Sequence, residues 1–129
     1  RILHQAHYLK SERNVDATDC DEAVKAIRKN CIYLQDSAYT TSSGLELYGS
    51  PWTPEFCGWA FMLDRGPTIL EKWRDIPPST DILITHGPPL GRGDFVPKAG
   101  NVGCYDLLQE IQQRVKPRVN IFGHIHEGF

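Results

Sequence analysis

The sequence lacks the features that mark membrane, secreted and nucleic-acid-binding proteins. No hydrophobic run approaches the ~20 residues that a membrane-spanning helix requires. The 14 basic residues are outnumbered by 16 acidic ones, and no run of Lys or Arg forms a basic patch. The first residues, Arg1 to His7, are too few and too polar for a signal peptide. We therefore expect a cytoplasmic protein with neither a membrane nor a nucleic-acid polymer as its partner.

The chain also lacks a Cys-x-x-Cys pair, although it contains four cysteines. This spacing argues against zinc fingers and thioredoxin-type redox motifs. Free thiols in a reducing compartment are the simplest interpretation, and one or two disulfides are the alternative. The single methionine is Met62, so the recorded chain does not begin with an initiator residue. We expect it to be a fragment, a processed product or an incomplete record.

What the chain does contain is a pattern of alternating helices and strands. The spacing of apolar residues predicts helices over 22–29, 67–74 and 104–115. Strands are predicted at 81–85 and 119–122, and the first has a continuous apolar centre, as in a strand covered on both faces. A strand, a helix and a second strand form a βαβ unit over residues 81–123, whose strands should lie parallel in one sheet. The fold class predicted is therefore α/β.

Histidines follow both strands of this unit. The first strand ends in Thr85-His86-Gly87-Pro88-Pro89, and the second leads into Gly123-His124-Ile125-His126. Ligand sites in such sheets lie at the carboxyl ends of strands, so these histidines should converge there. If the backbone is extended, His124 and His126 project to the same side with Cα atoms ~6–7 Å apart. That spacing suits two rings that reach neighbouring metal ions, although a single histidine is more often an ordinary surface or core residue.

These motifs carry a resemblance to a known family. Gly123-His124-Ile125-His126 resembles the last motif of the calcineurin-like metallophosphoesterases, and Thr85-His86-Gly87-Pro88-Pro89 resembles the motif before it. Three further segments narrow the resemblance to the metallophosphoesterase-domain-containing (MPPED) subfamily: residues 30–37, 48–54 and 124–129. The similarity extends from about Cys20 to Phe129.

The resemblance implies both a fold and a metal site. It implies a four-layer α/β/β/α sandwich, of which residues 1–129 would be a single partial domain. It also implies two divalent ions that activate water for attack on a phosphoester, with His86 and His124 binding one ion and His126 the other. Mn²⁺ is the metal most expected, with Fe, Co, Zn, Ni and Mg as alternatives. Arg92 and Asp94 are the candidate substrate contacts, and surface charge is the alternative interpretation of both.

The chain departs from the family pattern at its N-terminal side. The Asp-x-His, Gly-Asp and Gly-Asn-His-Glu motifs, which supply carboxylate, bridging Asp, Asn and catalytic His groups, are not present. Gly93-Asp94 follows His86 and is therefore in the wrong order, while His4 and His7 lack the expected neighbours. We also expect the chain to lack the final strands that the resemblance implies for the domain. No catalytic residue is predicted within the chain.

Two functions follow as expectations. The first is a metal-dependent phosphodiesterase or phosphatase in its complete form, acting on a small phosphoester or a cyclic nucleotide, with the chain alone inactive. The alternative is a non-catalytic binding or scaffold protein with the same fold. An intact ligand at His124 favours the enzyme, whereas the missing motifs favour the scaffold. The sequence leaves the oligomeric state open.

Overall fold

The computed structural model describes residues 17–128, which separate into two compact units. The first unit comprises residues 17–33 and 58–60 and contains helix α1, Ala17–Asn30. This helix begins five residues before the predicted start. Asp19 in its first turn, and Arg28 and Lys29 in its last, carry the charges that the helix dipole favours at each end. His4 and His7 lie outside the described residues.

The second unit comprises residues 34–57 and 61–128 and carries the predicted histidine motifs. Its elements, in chain order, are β1 (Ser37–Thr40), β2 (Glu46–Ser50), β3 (Thr53–Pro54), β4 (Met62–Leu63), α2 (Pro67–Arg74), β5 (Ile82–Thr85), β6 (Phe95–Val96), β7 (Gly100–Asn101), α3 (Tyr105–Glu110) and β8 (Val119–Ile121). The predicted helix at 67–74 is confirmed. The structure is thus mixed α/β, as expected.

A four-stranded sheet in the order β1-β2-β5-β8 organises this unit. Strands β1 and β2 pair antiparallel, while β2, β5 and β8 run parallel to one another. The predicted βαβ unit is confirmed, because β5 and β8 are adjacent and α3 lies between them in the chain. The carboxyl ends of three strands therefore meet at one edge of the sheet.

One face of this sheet packs against α2 and α3. Tyr48 and Leu83 pair across β2 and β5 and point into the core from that face. Burial, followed by the charges of Asp36 and Asp75, raises the pKa of the Tyr48 hydroxyl to about 12. The core consists of side chains from both layers: Tyr48, Ile69, Trp73, Ile76, Leu83, Cys104, Leu107 and Val115.

The opposite face of the sheet is apolar but only partly covered. Residues Leu47, Ile82 and Val119 form one row across the strands, and Ile84 lies beside Ile121 in the next. Val119 and Ile121 are 48% and 51% exposed. The prediction that strand 81–85 is buried on both faces is therefore confirmed only for the face that carries Leu83.

The third predicted helix is shorter than expected and changes geometry. Helix α3 ends at Glu110, and a π-helical turn, Ile111–Val115, continues it. Cys104 precedes the helix as its N-cap, and its thiol accepts a hydrogen bond from the Leu107 backbone amide. The π turn carries Arg114, whose guanidinium pairs with Glu110 and donates hydrogen bonds to two carbonyls at the end of α2. Arg114 thereby joins the two helices that cover the core.

Two sequence expectations concern the whole described part of the chain. All four cysteines are free thiols, and Cys104 is the buried one. Burial raises the pKa of its thiol, so it is present in the protonated form. Among residues 17–128, no helix is both long and apolar enough to cross a membrane.

Candidate metal centre

His86 and His124 lie together at the carboxyl edge of the sheet. His86 follows β5 directly, and His124 comes three residues after the end of β8. Because Ile84 and Ile121 pair in parallel, the two chains leave the sheet side by side. The imidazole ring centroids are 4.6 Å apart, with the ring planes tilted by 58°. The predicted convergence of these two residues is confirmed.

Backbone hydrogen bonds fix where the two histidines sit. The His86 amide donates to the Ser50 carbonyl at 3.2 Å, which ties the residue to the end of β2. The Gly123 amide donates to the His86 carbonyl at 3.1 Å, which ties the two histidine segments to each other. The backbone hydrogen bonding of the sheet therefore continues one residue pair beyond its strands and holds the two histidine segments against each other.

The turn after β8 differs from the prediction. The spacing argument for His124 and His126 requires extended backbone at these residues. Instead, His124 itself has a φ of 76°, in the left-handed region that a non-glycine residue rarely adopts. The extended-backbone argument for the His124–His126 pair is therefore wrong. Strained backbone of this kind is found preferentially at functional sites.

The local electrostatics keep His124 neutral. Burial lowers the pKa of its imidazole, and the neighbouring His86 and His126 lower it further. A neutral imidazole offers a free nitrogen lone pair, which is the form that binds metal ions. His86 and His126 are exposed, whereas His124 is half-buried. Because His126 contributes to the lowered pKa of His124, it lies close enough to influence the charge on that residue.

The donor atoms fit part of a divalent metal site. Two imidazoles at this separation can provide two ligands to one ion such as Mn²⁺ or Zn²⁺. Within residues 17–128, however, no group of three or more His, Cys, Asp or Glu side chains is close enough together to hold an ion. The described residues thus bring together two imidazoles, and an ion held by them would need further ligands. The ligand assignments of His86, His124 and His126 stay predictions.

The two candidate substrate residues lie in the loop after His86 and differ in environment. Arg92 is exposed, and its guanidinium donates a hydrogen bond to the Gly91 carbonyl. Asp94 is 1% exposed. Its carboxylate accepts hydrogen bonds from the Gly91 and Gly103 amides and from the Asn101 side chain. The interpretation of Asp94 as surface charge is therefore wrong, and substrate contact by either residue stays a prediction.

Hydrogen bonds decide the ionisation of Asp94. Burial alone would raise the pKa of its carboxyl, but the hydrogen bonds from Gly91, Asn101 and Gly103 outweigh it and hold the pKa below the usual value. The charged carboxylate thus organises the loop over residues 91–103. This loop touches the segment after β8, since a Cβ on Gly128 would clash with the Gly93 carbonyl oxygen.

Several residues next to the histidines were not singled out by the sequence. Thr53, Thr85 and Asn120 are polar side chains near the His86 segment, and the two threonines are buried. The available signal was a break in pattern: Thr85 ends an apolar strand, and Asn120 separates Val119 from Ile121. Polar residues at such positions often have hydrogen-bonding functions behind a site.

Comparison with known proteins places this geometry in a family. No family model matches the chain. It is 58% identical over 109 residues to human metallophosphoesterase domain-containing protein 1, a match that covers 84% of the chain. The chain belongs to the metallophosphoesterase domain-containing family. A UPF0046 protein of Caenorhabditis elegans is 44% identical over 107 residues, or 83% of the chain and 27% of that protein. The resemblance read from the histidine motifs is thereby confirmed.

The metallophosphoesterase relatives are longer than this chain. The chain spans about a third of the human protein, 33% of its length. A protein of Emericella nidulans named probable rhamnogalacturonate lyase C is 35% identical over 133 residues, but the match covers 12% of that protein. Membership of the metallophosphoesterase family implies divalent metal ions in general.

Proposed function

We propose that this metallophosphoesterase segment contributes metal ligands to a metal-dependent phosphoester hydrolase. The observation that supports this most directly is the pair of imidazoles, 4.6 Å apart, at the carboxyl edge of a parallel sheet. His86 and His124 would hold one divalent ion, and His126 would hold a second. Mn²⁺ is the proposed metal for both positions, and further ligands would come from outside the described residues.

The chain's own residues would do three things in this reaction. His86 and His124 supply two imidazole ligands, and the site lowers the pKa of His124, which favours its neutral, metal-binding form. The backbone bonds from His86 to Ser50 and from Gly123 to His86 hold those ligands in place before metal arrives. The exposed guanidinium of Arg92 can meet a phosphate charge. A bound divalent ion would supply Lewis acidity toward the phosphate and toward the attacking water.

The finer architecture is also a proposal. The uncovered apolar face, with Val119 and Ile121 about half exposed, suits a second sheet packed against it. We propose that the complete domain is the four-layer α/β/β/α sandwich, with α2 and α3 as one outer layer. A cytoplasmic location and a small phosphoester or cyclic nucleotide as substrate belong to the same proposal.

A chimera tests the proposal in a complete domain. The segment of the human relative that matches this chain would be replaced by the corresponding segment of this chain, and hydrolysis of bis(p-nitrophenyl) phosphate and of cyclic nucleotides would be measured with Mn²⁺. The unaltered human protein is the reference. We expect turnover that requires metal.

Ligand variants of the chimera sharpen the test. His86→Ala should weaken Mn²⁺ binding at least as much as the roughly 10–100-fold typical for loss of a ligand's hydrogen-bond partner, and added Mn²⁺ should partly restore turnover. Lys98→Ala, an exposed residue beyond β6, is the control and should change neither property. Hydrolysis that survives His86→Ala without altered metal dependence would contradict the proposal and favour the non-catalytic scaffold.

The isolated 129-residue chain should have little or no activity. Three imidazoles without a bridging carboxylate cannot hold two cations at the ~3.5–4 Å separation of two-metal sites against their repulsion. Turnover by the purified chain with Mn²⁺, near the rate of the chimera, would show that its own residues complete the centre.

A further inference from the structure

Two linked side-chain hydrogen bonds lie behind the His86 segment: one from Asn120 to Thr85 and one from Thr85 to the Gly87 carbonyl. We call this pair of bonds the relay. Thr85 is the last residue of β5 and is 3% exposed. Its hydroxyl donates to the carbonyl of Gly87, two residues along the chain, at 2.9 Å. The bond closes the backbone around His86, because it joins the residues on either side. The Thr85 hydroxyl thus bears directly on the direction in which His86 leaves the sheet.

Asn120, on the neighbouring strand β8, sets the direction of that hydroxyl. Its side-chain amide donates to the Leu83 carbonyl at 3.1 Å and to the Thr85 hydroxyl oxygen at 3.4 Å. The reversed amide would set an oxygen against the Leu83 carbonyl, so the donor orientation is the favourable one. A hydroxyl has a single proton. With Asn120 donating to its oxygen, the Thr85 proton is free to go to Gly87.

The side-chain oxygen of Asn120 is an unfavourable feature that packing alone does not explain. Within the described part of the chain, its Oδ1 is buried and meets no hydrogen-bond donor. An unpaired buried acceptor is unfavourable, and an apolar residue at this position of β8 would avoid it. The donor half of the amide is the part that contacts Thr85 and Leu83. The contact with Thr85 is therefore the candidate reason for an asparagine here.

A close approach makes the His86 turn sensitive to this relay. A Cβ on Gly87 would lie 2.7 Å from the Thr53 hydroxyl oxygen and 4.0 Å from the His124 ring. Gly87 is thus wedged between Thr53 and the second histidine. The Gly87 peptide therefore has little room to move relative to Thr53 and the His124 ring.

We propose that Thr85 and Asn120 are positioning residues that hold the His86 imidazole against His124 through the Gly87 carbonyl. The metal-related part of this inference rests on the proposed function, whereas the geometric part concerns the imidazole pair alone. The competing explanation is that both residues merely stabilise the sheet. The two explanations differ in what a conservative replacement restores and in whether the imidazole separation changes.

Four substitutions in the 129-residue chain separate these explanations. Thr85→Val removes the hydroxyl with little change in shape, and Thr85→Ser returns it. Asn120→Ala removes the amide while leaving the hydroxyl free to rotate, and it replaces Thr85→Val if that variant does not fold. Thr80→Val is the matched control, because Thr80 is also buried and its hydroxyl also donates to a carbonyl, that of Pro77 at 2.8 Å.

Two readouts are measured: the nuclear Overhauser effect between the His86 and His124 ring protons in each variant of the chain, and the affinity for Co²⁺, from its absorption bands, of the chimera with the same substitutions. We expect Thr85→Val to weaken the ring contact and to lower Co²⁺ affinity by roughly 10–100-fold. Thr85→Ser should restore both, and Thr80→Val should change neither. Asn120→Ala should weaken the ring contact in the same direction as Thr85→Val.

An unchanged ring contact in both Thr85→Val and Asn120→Ala, with loss of stability alone, would overturn the positioning assignment. Failure of the wild-type chimera to bind Co²⁺ would count against the proposed metal function instead. In that case the ring contact still decides whether the relay positions His86, so the two failures are distinguishable.

Discussion

The left-handed backbone at His124 predicts an unusual order of stability among its variants. Glycine normally costs stability relative to alanine, because it has more freedom in the unfolded chain, by about 0.4–1 kcal/mol. At a φ of 76°, however, any residue with a Cβ pays roughly 1–2 kcal/mol in steric energy that glycine avoids. We therefore expect His124→Gly to be more stable than His124→Ala by about 0.5–1 kcal/mol.

The comparison with wild type follows from the same terms. Replacing His124 by glycine loses its contact with the His86 ring and its partly buried surface, but it relieves the backbone strain. These contributions oppose each other and are similar in size, about 1 kcal/mol each. His124→Gly should therefore unfold within about 1 kcal/mol of wild type while losing the imidazole that is proposed as a ligand. This separates the effect on metal binding from any effect on folding.

Urea unfolding followed by tryptophan fluorescence, paired with titration calorimetry using Mn²⁺, measures both effects. His124→Asn is a useful third variant, since asparagine tolerates the left-handed region better than alanine does. The expected stability order is Gly at or above Asn, with Ala lowest. An alanine variant as stable as the glycine variant would show that the left-handed conformation is not held in solution. Unchanged Mn²⁺ affinity in His124→Gly would show that the residue is not a ligand.

Three further changes have defined outcomes. Asp94→Asn should cost about 2–3 kcal/mol, because a buried charged acceptor of three hydrogen bonds is lost. Since the folded-state pKa of Asp94 lies below the usual value of an aspartate, its stabilisation is fully present above that usual value and is lost as pH falls through the folded-state pKa. Urea unfolding between pH 3 and 6 should show this slope in wild type and less of it in the variant. Arg114→Met should lower the unfolding free energy by about 1–3 kcal/mol, because two carbonyls at the end of α2 lose a charged donor; equal stability would show that solvent satisfies them. Gly87→Ala should destabilise the chain, and Thr53→Ala should partly rescue it by removing the hydroxyl that lies 2.7 Å from the added Cβ; additive effects in that cycle would contradict the predicted clash.

The sequence alone was sufficient for the βαβ unit and the meeting of His86 with His124. Two apolar strands on either side of a helical pattern constrain the topology strongly. Parallel pairing of the strands, with the helix as the crossover, is nearly the only arrangement that buries both the strands and the apolar face of the helix. Once the strands are parallel, residues at their carboxyl ends must meet at one edge. The same local motifs carried the family resemblance, which the 58% identity to a human relative confirmed.

The placement of His126 and the environment of Asp94 depended on tertiary structure. Two-residue spacing predicts a shared side only in extended backbone, and the left-handed turn at His124 breaks that condition. Asp94 resembled a surface charge because its partners, Asn101 and Gly103, are distant in sequence and meet it only when the loop folds back. A local pattern contains no information about such nonlocal hydrogen bonds.

The relay through Thr85 and Asn120 shows most clearly the difference between what local sequence determines and what tertiary structure decides. From the sequence, one is a polar residue at the end of an apolar strand and the other a polar residue within one. The parallel register of β5 and β8 places Asn120 opposite Leu83, two residues before Thr85, so that side chains 35 residues apart in the chain come within hydrogen-bond distance. The sequence determined that β5, α3 and β8 form a βαβ unit and that His86 and His124 meet at its edge. Tertiary packing decided which polar side chains hold those residues in place, because hydrogen-bond partners from different strands are chosen only when the register is set.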